Sequence, residues 1–159
     1  MMDAMSGAWS RFRKLSGRQR HDFFLGLVLL PVVTAWVSLF KFRSVQETLE
    51  RWYSGVPVKM RDDAANLAEV HSAARMVDAA SRRGIVRGNC LSRSIVLWWL
   101  LRRRGIPTQL RIGARKTGNV FEAHAWVEMA GLPINDSEDV QTRYTPFEGP
   151  VTGKMAAPK

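Results

Sequence analysis

The sequence predicts an α+β fold, in which helices come first along the chain and pack against a small antiparallel sheet. The helical signals are an alanine-rich amphipathic segment from Asp62 onward and an apolar run from Ile95 to Leu101. After them, short segments of alternating polarity are separated by turn residues, which is the pattern of strands. The 159 residues are enough for one domain with its own core and too few for two ordinary domains.

The composition is that of a globular protein kept in a reducing compartment. Apolar residues make up 46% of the chain, which excludes the disordered class. Cys90 is the single cysteine, so neither an internal disulfide nor a cysteine-based zinc site can form. The histidines at positions 21, 71 and 124 are scattered and do not indicate a metal cluster. We therefore expect a cytoplasmic protein.

The excess positive charge lies in one segment of the chain. The net charge is +10, and residues 79–121 contain ten basic residues and no acidic one. The rest of the chain is balanced, with fourteen residues of each sign. This basic segment contains Cys90, and such a patch attracts an acidic peptide partner. Nucleic acid is the rival partner, but no nucleic-acid-binding motif accompanies the charge, so none is expected.

An uncharged run of eighteen residues, 23–40, lies near the start of the chain. Basic residues flank it, and its length meets the minimum for a membrane-spanning helix. Pro31 interrupts the run, and Thr34 and Ser38 are polar. We expect a helix packed on the domain, with membrane contact as the alternative. A signal peptide is not expected, because no small-residue cleavage site precedes Lys41.

Three regions are predicted along the chain. Residues 1–61 form a basic segment and a hydrophobic helical region, residues 62–150 a core, and residues 151–159 a loose tail. Residues 1–20 are predicted to be frayed or weakly helical. Residues 44–53 are predicted to form a short helix, with Ser44 and Glu47 in the capping-box arrangement. The alanine-rich helix carries one apolar stripe, made of Leu67, Val70, Ala74, Val77 and Ala80.

Cys90 is the candidate nucleophile. It follows the turn signal Gly88–Asn89 and begins the predicted long helix. The free amides and the dipole at a helix start favour an anion, and Arg87 and Arg93 add positive charge. A thiolate is the nucleophile that covalent acyl transfer needs. The alternative is an inert, buried small residue.

His124 is the candidate base. It lies in a predicted strand, with His124, Trp126 and Glu128 on one face. The alternative is a half-buried strand histidine of no catalytic role. His71, inside the alanine-rich helix, is expected to be a surface or packing residue.

The third group of a catalytic triad is predicted to follow a Gly-Leu-Pro turn. Asp136 comes twelve residues after His124, so a hairpin would bring it back beside the imidazole. There it would accept a hydrogen bond and fix the tautomer of the ring. Asn135 or Asp139 would serve equally well by spacing alone.

Several motifs in combination carry a resemblance to a known family. They are CL-x-RS and LL-x-x-x-GIP within CLSRSIVLWWLLRRRGIP, the strand LRIGARK, and AHAWVE…G-x-P-x-ND within FEAHAWVEMAGLPIND. With the alanine-rich helix before them, they resemble the transglutaminase-like leader peptidases of bacterial lasso-peptide biosynthesis. The hydrophobic helix and its basic exit LFKFR are also similar to that family, which favours packing over membrane spanning. The resemblance covers roughly residues 23–140.

The resemblance implies a papain- or transglutaminase-like cysteine peptidase with Cys90, His124 and Asp136 as its triad. Such enzymes remove the leader from a ribosomally made precursor peptide, after which a separate lasso cyclase closes the ring. ATP accompanies the family's reaction, but no phosphate-binding loop is visible in this sequence. No cofactor is therefore expected on this chain, and ATP is assigned to the partner cyclase. A separate leader-recognition protein is expected, because the chain has no room for such a domain before residue 23.

Two other functions remain open from the sequence. The same three residues can transfer an acyl group to an amine, as transglutaminases do. The chain can also be a non-catalytic basic adaptor at a membrane surface, with Cys90 as a packing residue.

Overall fold

The fold is α+β, as the sequence predicts: the part of the chain that the structure describes has three long helices packed on one another, and the third of them packs on a four-stranded antiparallel sheet. The structure is a computed structural model and describes residues 13–39, 48, 51 and 63–147. The predicted 151–159 tail lies outside this part, and so does the 44–53 helix apart from residues 48 and 51. The elements in chain order are α1 (Gly17–Leu39), α2 (Asp63–Arg83), α3 (Cys90–Arg103), β1 (Gln109–Thr117), β2 (Val120–Met129), β3 (Leu132–Pro133), α4 (Val140–Arg143) and β4 (Thr145–Pro146).

α1 begins before the apolar run, in residues that the sequence predicts as frayed or weakly helical. A capping box fixes this start, because Ser16 and Gln19 satisfy each other's backbone amides. The amide of Gln19 donates to Ser16 Oγ at 3.2 Å, and the amide of Ser16 donates to Gln19 Oε1 at 2.8 Å. The helix then continues through Pro31 to Leu39.

α1 packs closely on α2 along one side. A side chain at Gly26 would bring its Cβ within 2.9 Å of Ala80 Cβ, so glycine permits this approach. Leu30 is buried, whereas Phe24, Val28 and Val32 on the outer side are more than half exposed. By length and a mean hydropathy of 2.0, α1 qualifies as a candidate membrane span, with 22% of the apolar window buried. A core helix and a signal sequence meet the same criterion, so membrane contact stays open.

A cluster of ion pairs ties α1 to α2 and to the end of α3. Asp22 on α1 is buried and pairs with Arg104. Arg104 also contacts Glu69 on α2 at 3.3 Å, and Glu69 pairs with Arg18 at 2.9 Å. Because a buried carboxylate is costly unless paired, Arg104 is what permits Asp22 at this position.

The core lies between the helices and one face of the sheet. On α2, Val70, Val77 and Ala80 of the predicted stripe are buried. Leu67, one turn nearer the helix start, departs from the prediction because it is 40% exposed. Ala73 completes the stripe, and nearly every residue of the α3 apolar run is buried, namely Ile95, Val96, Leu97, Trp98, Leu100 and Leu101.

The sheet has the order β3-β2-β1-β4 and is covered on both faces near the middle of β2. Ala125 and Val127 face the helices, while Trp126 is buried on the other side with Val140 and Tyr144. The sequence alternation groups His124, Trp126 and Glu128 on one face but gives no sign that this face is covered. α4 and the segment after it supply the cover.

Candidate active site

Cys90 is the first residue of α3, as the sequence predicts. Asn89 caps the helix, and its Oδ1 accepts hydrogen bonds from the amide of Ser92 at 2.8 Å and from Ser92 Oγ at 2.9 Å. This cap leaves the amides of Cys90 and Leu91 unused by Asn89. Cys90 is partly exposed, so its thiol lies at the positive end of a helix and within reach of a ligand.

The helix start is held by close packing of the preceding turn. A Cβ at Gly88 would lie 2.9 Å from Leu30 Cδ2 and 3.4 Å from Arg93 Cγ. Glycine therefore lets the turn fit between α1 and the first turn of α3. Through this contact, α1 helps to position Cys90.

His124 lies in the middle of β2, opposite Gly113 on β1. Its side chain is 19% exposed, so the ring is enclosed but reachable. A Cβ at Gly113 would come within 2.9 Å of Trp126 Cη2 and 3.0 Å of the Thr145 carbonyl oxygen. Glycine at this position therefore lets the Trp126 ring and strand β4 pack closely against β1 beside His124.

Asp136 is the residue that contacts His124. Oδ2 of Asp136 lies 2.6 Å from His124 Nε2. The other oxygen, Oδ1, accepts hydrogen bonds from the amide of Ser137 at 2.8 Å and from Arg143 Nη2 at 3.0 Å. Burial alone would raise the pKa of Asp136, but the hydrogen bonds from His124 and Ser137 outweigh it and hold the pKa below its usual value. An ionised carboxylate only accepts, so His124 Nε2 is assigned as the donor in this contact, and in the neutral ring the lone pair then lies on Nδ1.

The two other candidates for the third position are engaged elsewhere. Asn135 Oδ1 accepts from the amide of Val127 at 2.8 Å, and its Nδ2 donates to Ser94 Oγ at 3.0 Å. Asp139 has a side chain that is 61% exposed and pairs with Arg143. Of the three residues that the spacing allows, the structure brings Asp136 to the imidazole.

Asn135 instead joins the helix of Cys90 to the strand of His124. Ser94, one turn after Cys90, is fully buried, and its Oγ donates to the Ala125 carbonyl oxygen at 2.9 Å. Ser94 Oγ also accepts from Asn135, which in turn holds β2 through Val127. This Ser94–Asn135 bridge fixes the distance between α3 and β2.

Cys90 and His124 line the same cleft, which has a volume of about 180 Å³. The rest of its lining is apolar, consisting of Leu91, Ile112, Ala123, Ala125 and Phe147. Phe147 is half exposed at the rim, and its amide donates to the Ile112 carbonyl oxygen at 2.9 Å. The cleft therefore suits an apolar segment of a ligand beside the thiol.

Tyr144 and its neighbours belong to the site and carry no signal in the sequence. The ring stacks on His124, and its hydroxyl donates to Glu122 Oε1 at 2.9 Å. Burial and this hydrogen bond raise the pKa of Tyr144, so the phenol stays protonated. The hydrogen bond from Arg115, with the one from Tyr144, lowers the pKa of Glu122. A lone tyrosine twenty residues beyond a histidine predicts no contact, because α4 has to fold the chain back first.

Within residues 13–39, 48, 51 and 63–147, there is no group of three or more His, Cys, Asp or Glu side chains that could hold a metal ion. The groups that the site presents are a thiol and a histidine–carboxylate pair.

Within this α+β fold, a cysteine at a helix start lines the same cleft as a strand histidine that contacts a carboxylate. The chain belongs to the transglutaminase-like superfamily, whose family model matches residues 34–148. This membership confirms the predicted fold family and suggests cysteine peptidase or acyltransferase activity. Comparisons with curated proteins and with solved structures give no match.

Proposed function

We propose that the chain is a cysteine peptidase that removes the leader from a ribosomally synthesised lasso precursor peptide. The observation that supports peptidase chemistry best is the 2.6 Å contact between His124 Nε2 and Asp136 Oδ2, beside the cleft that Cys90 lines. The choice of a lasso precursor as substrate rests on the sequence resemblance alone.

In the proposed mechanism, His124 Nδ1 takes the proton of the Cys90 thiol, and the thiolate attacks the carbonyl carbon at the leader–core junction. The Cys90 amide, unused by the helix cap, donates to the resulting oxyanion. His124 then gives its proton to the leaving amine as the C–N bond breaks, which leaves a thioester on Cys90. Water, deprotonated by His124, attacks the thioester and regenerates the thiol with a free carboxylate on the product.

Asp136 and the Ser94–Asn135 bridge are assigned positioning roles in this mechanism. Asp136 remains ionised near neutral pH because its pKa is lowered, so it holds the Nε2–H tautomer and stabilises the imidazolium that forms. The bridge keeps the first turn of α3 against β2 and thereby holds Cys90 near His124.

A second candidate function is acyl transfer to an amine, which membership of the superfamily supports equally. The same thioester forms, and an amine replaces water in the second half of the reaction. Incubation of the precursor with a primary amine and mass spectrometry of the products distinguishes the two. A product with a free carboxylate supports the peptidase, and an amide adduct as the main product supports acyl transfer.

The partners proposed for this chain follow from the resemblance. A separate leader-recognition protein presents the precursor, and a lasso cyclase receives the released core peptide. No cofactor is assigned to this chain, and ATP is proposed to act at the cyclase. Reconstitution with and without each partner measures these dependencies directly.

The first experimental test is the alkylation of Cys90, because a single thiol gives a signal with one source. The rate with iodoacetamide near neutral pH is compared among the wild type, His124→Ala and the control His71→Ala. We expect His124→Ala to slow alkylation about tenfold or more, since the histidine stabilises the thiolate, and His71→Ala to leave the rate unchanged. A slow thiol that is indifferent to His124, also with the recognition protein present, contradicts the proposal.

A further inference from the structure

We infer that a second cleft, between α2 and α3, binds one carboxylate side chain of the peptide substrate. This basic cleft has a volume of about 180 Å³ and is lined by Arg75, Arg93, Asp78 and Asn135 over a floor of Ala74, Val77 and Leu97. The inference rests on the proposed peptidase function and names a feature of its substrate.

The positive charge of the basic cleft is not fully neutralised by carboxylates. Asp78 is its single carboxylate and pairs with Arg93 at 3.3 Å and with Arg82 at 2.6 Å. Arg75 is exposed, and among the residues that the structure describes it has no ion-pair or hydrogen-bond partner. One guanidinium group in the cleft is therefore available to an anion.

Arg93 adds a second cation to the cleft. Its stem is held beside the Gly88 turn, and its Nη1 bonds to Asp78. The Arg93 side chain is 38% exposed, so its guanidinium group is within reach of a carboxylate in the cleft.

The position of the cleft links it to the proposed nucleophile. Successive residues of α3 are rotated by about 100° around the helix axis. Viewed along this axis, Arg93 and Leu97 therefore lie on one side of Cys90, and Leu91 lies on the other. The apolar cleft of Cys90 and His124 is on the Leu91 side, so Cys90 stands between the two clefts. One helical turn, about 5 Å, separates Cys90 from Arg93, and about two residues of extended chain cover that distance.

The size of the basic cleft favours a single acidic side chain over a nucleic acid. Its floor is apolar, which suits the methylene groups of Glu or Asp, and the two arginines can engage one carboxylate. A nucleic-acid backbone needs a row of cations along a groove, whereas this cleft carries two cations and one anion. We therefore assign its ligand as Glu or Asp, about two residues from the bond that is cleaved.

The test measures peptide retention on the immobilised full chain. Two pools of capped hexapeptides are compared by mass spectrometry, one with Glu fixed at a central position and one with Gln, the other positions being small or apolar residues. Cys90→Ser is used so that no peptide is consumed. We expect about fivefold greater retention of the Glu pool, with most of this preference lost in Arg75→Gln and in Arg93→Gln.

Arg83→Gln is the matched control, because it removes the same charge from an exposed position of the basic segment that does not line the cleft. Equal retention of the two pools, or an equal loss with Arg83→Gln, overturns the inference. Tighter binding of an oligodeoxythymidine that depends on the same arginines also overturns it, in favour of nucleic acid.

Failure of the inference and failure of the proposed function give different results. Retention requires no hydrolysis, whereas the alkylation test reports on Cys90 and His124 alone. A reactive thiol without a Glu preference contradicts only the carboxylate cleft. An inert thiol with a Glu preference contradicts only the peptidase.

Discussion

The ring of Tyr144 stacks on the imidazole of His124, with ring centroids 4.8 Å apart and 24° between the planes. Tyr144 is itself fixed, because its hydroxyl bonds to Glu122 and the Arg115 guanidinium lies 4.9 Å from its ring centroid. Asp136 holds the edge of the same imidazole. The imidazole of His124 is thus held both across its face and at one nitrogen, as the proton-transfer role proposed for it requires.

Removal of the Tyr144 ring is expected to impair the site more than removal of its hydroxyl. Tyr144→Phe keeps the stacking and should leave the alkylation rate of Cys90 within about threefold of the wild type. Tyr144→Ala opens a cavity beside His124 and should cost about 3–5 kcal/mol of unfolding free energy, as large-to-small changes of buried aromatics do. Urea unfolding and alkylation rates measure both effects. Equal rates for the Ala and Phe variants would show that stacking does not orient His124.

Asp136 is expected to make stability depend on pH in the acid range. Its pKa is below the usual 3.8 in the folded protein, so the carboxylate binds protons less readily when folded than when unfolded. Its contribution is therefore fully present above pH 3.8 and is lost as the pH falls through the lower, folded-state pKa. Asp136→Asn should flatten this part of the curve of unfolding free energy against pH, measured by urea unfolding from pH 6 downward.

Asp139→Asn is the control, because it makes the same change in the same segment of the chain. The pKa of Asp139 is also lowered, by a hydrogen bond with Ser137 and the charge of Arg143, but its side chain is largely exposed. Exposed ion pairs contribute little, so its acid-range slope should resemble that of the wild type. The alkylation rate of Cys90 should fall in Asp136→Asn and stay constant in Asp139→Asn. The reverse order would identify Asp139 as the third group.

Gly113 is expected to tolerate no side chain. The Cβ of alanine would lie 2.9 Å from Trp126 Cη2 and 3.0 Å from the Thr145 carbonyl oxygen, which is backbone and cannot turn aside. Gly113→Ala should therefore cost about 1–3 kcal/mol of unfolding free energy. Gly17→Ala is the control, because nothing lies within 4 Å of its Cβ, and it should change the stability by less than about 0.5 kcal/mol. A neutral Gly113→Ala would mean that β4 can move away from β1.

Local patterns predict most of the fold and single out Cys90, His124 and Asp136 as candidates, but they do not predict Tyr144 or the contacts among these residues. The α3 run and the β1–β2 hairpin follow from periodicity and turn residues, and Cys90 at a helix start follows from the Gly88–Asn89 turn. Spacing leaves three candidates beside His124, because a hairpin fixes which segments meet and not which side chain turns inward.

Most of the contacts that no local pattern predicts join residues far apart in the sequence. Tyr144 reaches His124 only after α4 has reversed the chain, and no local pattern encodes that reversal. The start of α1 was predictable in principle, since Ser16 and Gln19 form the capping-box pattern ahead of the apolar run. Asp22, by contrast, is buried only because Arg104 at the far end of α3 meets it.

Ser94 and Asn135 are expected to act as one unit that sets the spacing between Cys90 and His124. Ser94→Ala leaves the buried Ala125 carbonyl without its partner, which costs about 1–3 kcal/mol, and it also removes the acceptor of the half-buried Asn135 Nδ2. Asn135→Ala removes the same bridge from the other side, so the double variant should cost less than the sum of the two single ones. Urea unfolding of the four proteins in this cycle gives the coupling energy, which we expect to be about 1 kcal/mol or more. Both single variants should also slow Cys90 alkylation although neither residue lines the cleft of Cys90 and His124. Strictly additive unfolding energies, with alkylation unchanged, would mean that α3 and β2 keep their spacing without this bridge.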